Sequence, residues 1–475
     1  MIAPAAARAQ ETRTIVPAPQ YEASGWRVTL FGESYREQWT SPMRVRVLDL
    51  DRFAGGLKAT ETGGGLQTKS LRFDGADGKE YTFRSVDKFP DLAGEPALQK
   101  TAIGEVIQDQ VSSLHLGGPL AVPVMLDALG VIHATPELYL MPDDPRLGEF
   151  REVYAGMLGT IEEHINDQEK DTPGFAGFTH ILDTEDLFKR IEDSADDRID
   201  ARSYLTARLF DLVVNDWDRH EDQWRWGRVD SAGVYWWKAI PRDRDYAFVD
   251  YDGAAMTLAR HFARNTVAFD AEIDNVYGLT MNGRDIDRRL LSGLDRAAWD
   301  SIAASVQARL TDAVIDRAMA RMPPEVQAES GAWTAARLRS RRDHLREAAE
   351  TFYKLLATDV EIHATDKRDV AVVDRSPDGS ILVRLFDANR EGDPHGEPYF
   401  QRRFVRDETI EVRIFLHGGD DHAKVSGEGP VGMTVRVIGG GGDDLLEDSS
   451  RLRKGKTAFY DDRGENRFVR GPVTS

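Results

Sequence analysis

Between Asn215 and Asp252 the chain gathers the side chains that a group-transfer centre needs. Asn215-Asp216-Trp217-Asp218-Arg219-His220-Glu221-Asp222-Gln223 follows an apolar run ending at Val214. A turn at Asp230–Gly233 separates this loop from Val234-Tyr235-Trp236-Trp237, which runs on into Ile240-Pro241-Arg242-Asp243-Arg244-Asp245-Tyr246-Ala247-Phe248. Five of the nine tryptophans fall between Trp217 and Trp237, so an aromatic wall must hold these carboxylates in place. Phosphoryl transfer uses this inventory: one carboxylate orients or deprotonates a hydroxyl, and others hold a divalent ion against phosphates. A helix-loop-hairpin that delivers Asp218 before the hairpin, and Asp243 and Asp245 after it, meets that need. Either motif alone reads as a solvated, salt-bridged charge alternation. The two together, in this order and flanked by an apolar helix and an aromatic hairpin, favour a site.

The segment resembles the kinase-like families that carry an Asp-Arg-His loop, most closely the CotH spore-coat kinases. Their second motif, Ile-Pro-x-Asp-x-Asp-x-x-Phe, is matched by Ile240–Phe248. The resemblance extends to HipA-like and Fam20-like relatives, as found at the front of some large bacterial envelope (outer-membrane barrel) proteins. It implies Asp218 as the catalytic base, His220 as a support for the metal-site backbone, and Asp245 as a metal ligand with Asp243 close behind. Relatives commonly place Asn five residues after the catalytic Asp. This chain has Gln223 there, which keeps the carbonyl oxygen but reaches one methylene further, and Asp222 is a substitute. The implied cofactors are ATP with Mg²⁺ or Mn²⁺, and the implied acceptor is a protein hydroxyl; transfer of AMP uses similar parts. The alternative is a catalytically weak or inactive pseudokinase scaffold in the bacterial cell envelope. Gln223 favours it, and retention of both aspartate motifs counts against it.

The amino-terminal part must then hold the nucleotide. Met43–Leu50, Gly65–Phe73 and Glu80–Val86 alternate as strands within a strand-rich stretch from Trp26 to about Pro90, and Gly75-Ala76-Asp77-Gly78 suits a hairpin turn. Gly63-Gly64-Gly65, with Lys69 after it, suits a loop whose backbone amides approach phosphates. Arg84 and Lys88 are the two candidates for the basic residue that grips them. Glu105 and Asp109, one turn apart on a predicted helix Thr101–Leu114, are the two candidates for its acidic partner. Val122–Met141 reads as apolar strand-like segments. Helices follow over Asp200–Val214, about Arg296–Met322 and Glu329–Leu356.

After Thr358 the chain turns to short alternating strands. Val412-Arg413-Ile414 followed by Gly418-Gly419-Asp420-Asp421 recurs as Val435-Arg436-Val437 and Gly441-Gly442-Asp443-Asp444. Two copies suggest stacked strand-turn units but fall short of the three or more that a solenoid needs. The turns also fit a glycine-aspartate calcium pattern, with Asp420, Asp421, Asp443 and Asp444 as oxygen ligands; a bare tight turn is the simpler reading.

The expected fold class is therefore α+β: a protein-kinase-like two-lobed domain followed by a smaller all-β domain, either a sandwich or a short solenoid-like stack. Expected boundaries are a signal remnant or linker over 1–25, a kinase-like domain over 26–325 with lobes of about 26–140 and 141–325, a connecting helix over 326–357, and the β-rich region over 358–475. That last region resembles the strand-rich segment preceding a barrel in some envelope proteins. The 475 residues carry 61 basic and 81 acidic side chains, a net charge of −20, which disfavours nucleic acid and anionic lipid as general partners. Nucleotide and a protein acceptor or envelope partner are expected instead. No cysteine is present, excluding a thiol nucleophile or thiolate zinc site. No run approaches the apolar length of a transmembrane helix. Ala7-x-Ala9 fits the small-residue end of a secretory signal, so export to the periplasm or outer membrane is expected.

Overall fold

The computed structural model describes residues 10–63, 68–89, 107–461 and 463–475. Its first lobe is built on a five-stranded antiparallel sheet ordered β1 (Leu57–Gly63), β2 (Ser70–Gly75), β3 (Glu80–Ser85), β5 (Leu158–Glu163), β4 (Glu137–Leu140). The period of two sorts its side chains onto two faces. Leu71, Phe73, Phe83 and Ile161 pack into one core with Tyr139 and Tyr154. Ser70, Arg72, Thr82 and Arg84, which pair across β2 and β3, project from the other face toward the second lobe.

The second lobe is mainly helical, with the hairpin β6 (Trp224–Ser231) and β7 (Val234–Pro241) at its upper edge. Its central helix, Ala201–Val213, is capped by Asp200, whose carboxylate accepts from the Ser203 amide at 3.0 Å. Tyr204, Leu205, Leu209, Trp224, Trp226 and Trp237 are buried around it, so most of the aromatic wall is core.

Several local expectations are corrected. Trp26–Phe31 and Arg36–Thr40 are helices, not strands. The first part of Val122–Met141 is also helical: a helix spans Gly118–Leu129, and only Glu137–Leu140 is strand. Pro119 fixes its first turn, and Leu120, Ala121, Val122, Met125, Leu126 and Leu129 are buried almost all round, so no amphipathic period marks it. Arg296–Met322 divides at Leu310 into Arg296–Arg309 and Asp312–Met319, the second capped by Thr311. The helix read over Glu329–Leu356 divides at His344 into Ala332–Asp343 and Leu345–Ala357. Of Thr101–Leu114, the described part ends in a single tight turn at Gln110–Ser113.

The β-rich region is a solenoid. Asp359–His363, Glu411–Phe415, Thr434–Ile438 and Thr457–Tyr460 form one parallel sheet. Asp369–Arg375, His422–Val431, Leu445–Asp448 and Arg467–Val469 form the parallel path of the other. Val360, Ile362, Val412, Ile414, Val435 and Val437 face Ala371, Val373, Ala423, Val425 and Leu446 between them. The two-copy echo is thus the middle of four rungs, which corrects the expectation that the repeat is too short. The outer turns hide it: the place of Gly-Gly-Asp-Asp is taken by Asp366-Lys367-Arg368-Asp369 in the first rung and Arg463-Gly464-Glu465-Asn466 in the last. A hairpin, Ile381–Ala388 with Pro394–Phe404, interrupts the spacing after rung one.

The turn carboxylates cap the amides of neighbouring rungs. Asp421 accepts from the Asp369 amide at 2.7 Å, and Asp444 from the Asp421 amide at 2.8 Å. On the outer track, Asp420 accepts from the Asp443 amide at 3.1 Å and Asp443 from the Glu465 amide at 2.7 Å. Close backbone stacking there admits no side chain at Gly442: at φ 115° a Cβ would lie 1.8 Å from the Gly419 carbonyl oxygen. Gly442→Ala is therefore expected to cost about 3 kcal/mol, against about 1 kcal/mol for Gly392→Ala at the open hairpin tip. Chemical denaturation of the two variants checks the contrast; equal losses would contradict the stacking.

Candidate active site

The loop Asn215–Gln223 leaves the central helix, and the stretch Arg242–Phe248 leaves β7 beside it. Below both lies a buried cluster of Arg208, Arg219 and Arg244 with Asp211, Asp216 and Asp287. Arg208 donates Nε and Nη2 to the two oxygens of Asp287 at 2.8 and 2.9 Å, and Nη1 to Asp211 at 2.6 Å. Tyr204 donates its hydroxyl to Asp287 at 2.8 Å. Arg244 donates to Asp211 and, at 3.1 Å, to Asp216. Burial works against ionising Asp211, but Arg244, Arg219 and Arg208 outweigh it and hold its carboxyl below the ordinary range.

Arg219, fully buried against the Trp224 ring, spends both terminal nitrogens on backbone. Nη1 reaches the carbonyls of Arg242 and Asp243 at 2.9 and 3.0 Å, and Nη2 that of Gln223 at 3.0 Å. Asp243 is held at φ 48°, a left-handed conformation unusual for a residue with a side chain. The far end of the same stretch is pinned as well. The Phe248 amide donates to the Val214 carbonyl at 2.6 Å, and Asn215 Nδ2 to the Val249 carbonyl at 2.8 Å.

Above this base the two lobes enclose a cleft of about 540 Å³, onto which Arg84, Lys88, Asp218, Gln223 and Asp243 open. Lys88 Nζ lies 2.5 Å from Asp245 and 3.9 Å from the centre of the Tyr246 ring. Asp218 accepts from Asn282 Nδ2 at 3.2 Å. Asp243 and Asp245 titrate as a pair. Burial opposes ionising Asp243, yet Arg84 and then Lys88 hold it below the ordinary range. Burial, and then the charge on Asp243, push Asp245 up to about 7.

Among the described residues, no three His, Asp or Glu side chains converge closely enough to hold a metal ion by themselves. Two hard carboxylates, Asp243 and Asp245, fit Mg²⁺, which characteristically takes one or two protein carboxylates and completes its shell with phosphate oxygens and water.

The structure thus brings Asp218, Gln223, Asp243, Arg84 and Lys88 to one cleft, with Asp245 held against Lys88. Of the two basic candidates, Lys88 meets the acidic pair, whereas Arg84 pairs with Glu162 on β5. Asp109 is corrected: it serves neither, because its buried carboxylate is neutralised by Arg36 at 2.5 Å and by Arg27. Glu105, Gly64 and Gly65 lie outside the described residues; Gly63 ends β1, and Lys69 places its amine over the Phe89 ring. His220 is corrected too. Its ring is 40 % exposed, 3.7 Å from Asp222 and 3.3 Å from the Gln223 amide, and the support of the metal-site backbone belongs to Arg219. Two residues were missed. Arg219 stood inside the quoted motif, but only burial distinguishes it from a surface charge. Asn282 carries no local signal at all.

No family model matches the chain, and no curated protein does. Among solved structures it is similar to the Helicobacter pylori proinflammatory kinase CtkA, at 11% identity over 60% of this chain and 94% of that one, with a TM-score of 0.31. It is also similar to HipA of Shewanella oneidensis, from a toxin–antitoxin complex with HipB and operator DNA, at 12% identity over 62% and 67%, TM-score 0.31. The Golgi casein kinase matches at 12% identity over 71% and 85%, TM-score 0.30. Residue roles rest on the geometry above.

Two outcomes follow from this geometry. Asp287→Ala, which strands Arg208 without its bidentate partner, is expected to destabilise the chain by about 3–5 kcal/mol, while the Arg208→Met/Asp287→Leu double variant recovers most of the loss in chemical denaturation. Protons would also compete with a divalent ion held by Asp245. Mn²⁺ affinity, followed by water-proton relaxation, is expected to fall about tenfold per pH unit below 7 and to level off above it; a flat profile from pH 5 to 8 would contradict the assignment.

Proposed function

We propose that the chain is a metal-dependent phosphotransferase of the kinase-like class that uses ATP and a protein hydroxyl acceptor. The observation that carries this reading is the Lys88–Asp245 pair, at 2.5 Å, whose lysine opens with Asp243 onto the same cleft as Asp218. In this reading Asp218 takes the acceptor's proton as the acceptor oxygen bonds to the terminal phosphorus and the bond to the bridging oxygen breaks. Asn282 fixes the carboxylate through one oxygen and leaves the other for the hydroxyl. Lys88 serves the phosphate oxygens. Asp243 and Asp245, with the Gln223 carbonyl, would hold Mg²⁺ or Mn²⁺, which supplies neutralisation of the charge spreading over the phosphates. Kinship with the CotH kinases belongs to this proposal, supported by the Ile240–Phe248 motif, as does an exported, envelope setting, supported by Ala7-x-Ala9. Calcium at the solenoid turns is supported by the buried Oδ2 atoms of Asp421 and Asp444, which have no hydrogen-bond partner among the described residues.

A second reading, the pseudokinase scaffold, is favoured by two observations: Lys88 is already neutralised by Asp245, and the Gln223 amide is turned to His220. Calorimetric titration of ATP into the full chain, with Mg²⁺ or Mn²⁺ and then with EDTA, separates the two. Binding is expected to require the ion, to weaken at least tenfold in Asp245→Ala, and to persist in Asp218→Asn. In that last variant autophosphorylation should fall about 10²–10⁴-fold. Absence of ion-dependent binding in every arm would transfer the chain to the scaffold reading.

A further inference from the structure

Lys88 stands between two hollows. On one side is the cleft, lined by Arg72, Arg84, Arg225 and Arg242 with Asp218 and Asp243. Guanidinium forks there suit phosphate oxygens. On the other side is a recess of about 390 Å³ walled by Val111, Leu114, Trp217, Tyr246, Tyr251 and Met256. Its size falls within the roughly 300–1,000 Å³ of ligand pockets. Val111 and Leu114 belong to the main core, and Trp217 and Tyr251 pack against it, so the walls are fixed. The Trp217 and Tyr246 rings meet edge to face with centroids 4.9 Å apart, a corner on which a further ring can stack. Asn265 and Thr266 add an amide and a hydroxyl, groups that pair with a peptide backbone.

Consecutive residues form the wall between the two hollows. Trp217 lines the recess and its neighbour Asp218 the cleft; Tyr246 lines the recess and its neighbour Asp245 meets Lys88. An extended chain spans ~3.3–3.6 Å per residue, so a peptide anchored in the recess reaches the cleft over about one to three residues.

The recess also opens toward exposed apolar surface. Ile107, which lines it, is half exposed. Met256 sits on the helix Ala254–Ala259, where Leu258 is exposed, and Phe262 one turn further on is 86 % exposed. The helix Trp26–Phe31 packs on this one and leaves Trp26 67 % exposed. Large apolar side chains grouped in water mark a surface for a partner. A small ligand seated in the recess would leave these rings in water, whereas a polypeptide anchored there covers them.

We propose that the recess is the acceptor subsite: it anchors a large apolar side chain, aromatic by preference, of a polypeptide whose hydroxyl, one to three residues away, is presented to Asp218. This rests on the phosphotransferase reading above and names the class of acceptor.

The test uses the full chain with ATP and Mg²⁺ and peptides centred on serine, threonine or tyrosine, with Phe or Ala at each of the three positions on either side. Phe at one or more of these positions is expected to raise kcat/KM about fivefold or more over Ala, mainly through KM. Met256→Trp, which fills the recess from a half-buried helix position, is expected to abolish that preference, and Met256→Leu to keep it. The ATP Kd should stay within about twofold of the parent chain in both. A smaller preference at every position, its persistence in Met256→Trp, or ion-dependent ATP binding with no transfer to any peptide would overturn the proposal. A tenfold loss of ATP affinity in Met256→Trp would give the recess to the nucleoside and overturn it too. Each of these results leaves ion-dependent ATP binding, and so the phosphotransferase reading, in place. Absence of such binding would instead remove that reading, and the proposal with it.

Discussion

Three guanidiniums and three carboxylates, all withdrawn from water, decide where the rest of the site can stand. An uncompensated charge at such depth costs several kcal/mol, so Arg208, Arg219, Arg244, Asp211, Asp216 and Asp287 hold one another in place. The sum of their charges is zero, and no member can move without uncovering another. Arg219 converts this balance into geometry: by binding the carbonyls of Gln223, Arg242 and Asp243 it joins the Asp218 loop and the Asp243–Asp245 loop into one piece. The left-handed backbone at Asp243 is sustained by that hold.

The solenoid is continuous with this rigid body. Helix Leu345–Ala357 packs in the second lobe's core and runs directly into the first solenoid strand. Arg402, on the inserted hairpin, donates to the Ser292 carbonyl at 2.6 Å, and Tyr353 donates to Glu408 at 2.6 Å. The Asp366 amide donates to the Glu192 carbonyl at 2.7 Å. These contacts across the seam are polar, each made by a particular side chain or turn.

What was legible in the amino-acid sequence was whatever covalent spacing carries. The aspartates of Asp218-Arg219-His220 and Asp243-Arg244-Asp245 announce a shared site because few residues separate them from the hairpin that folds them together. The choice between Lys88 and Arg84 was not legible, since both stand at the end of one strand and only the packed structure gives Asp245 to one and Glu162 to the other. Asp109 looked available because its partner, Arg36, is distant in the chain. The helix Gly118–Leu129 was hidden by being apolar on nearly every side, which erases the period that separates helix from strand. Two solenoid rungs were hidden for the opposite reason. Their backbone repeats the pattern, but other residues replace both glycines in the first rung and one of the two in the last.

The concentration of guanidinium inside a protein of net charge −20 has a kinetic side. An anion arriving from solution meets the negative exterior first and feels the cleft's cations only within about one Debye length, ~8–10 Å at moderate salt. Added salt shortens the reach of the outer repulsion and loosens the inner grip at the same time. Arrival then quickens while residence shortens, so both rate constants rise with ionic strength, whereas in steered association between opposite charges the on-rate falls. A ligand site of this kind gains selectivity from its lining and gives up speed to its surroundings.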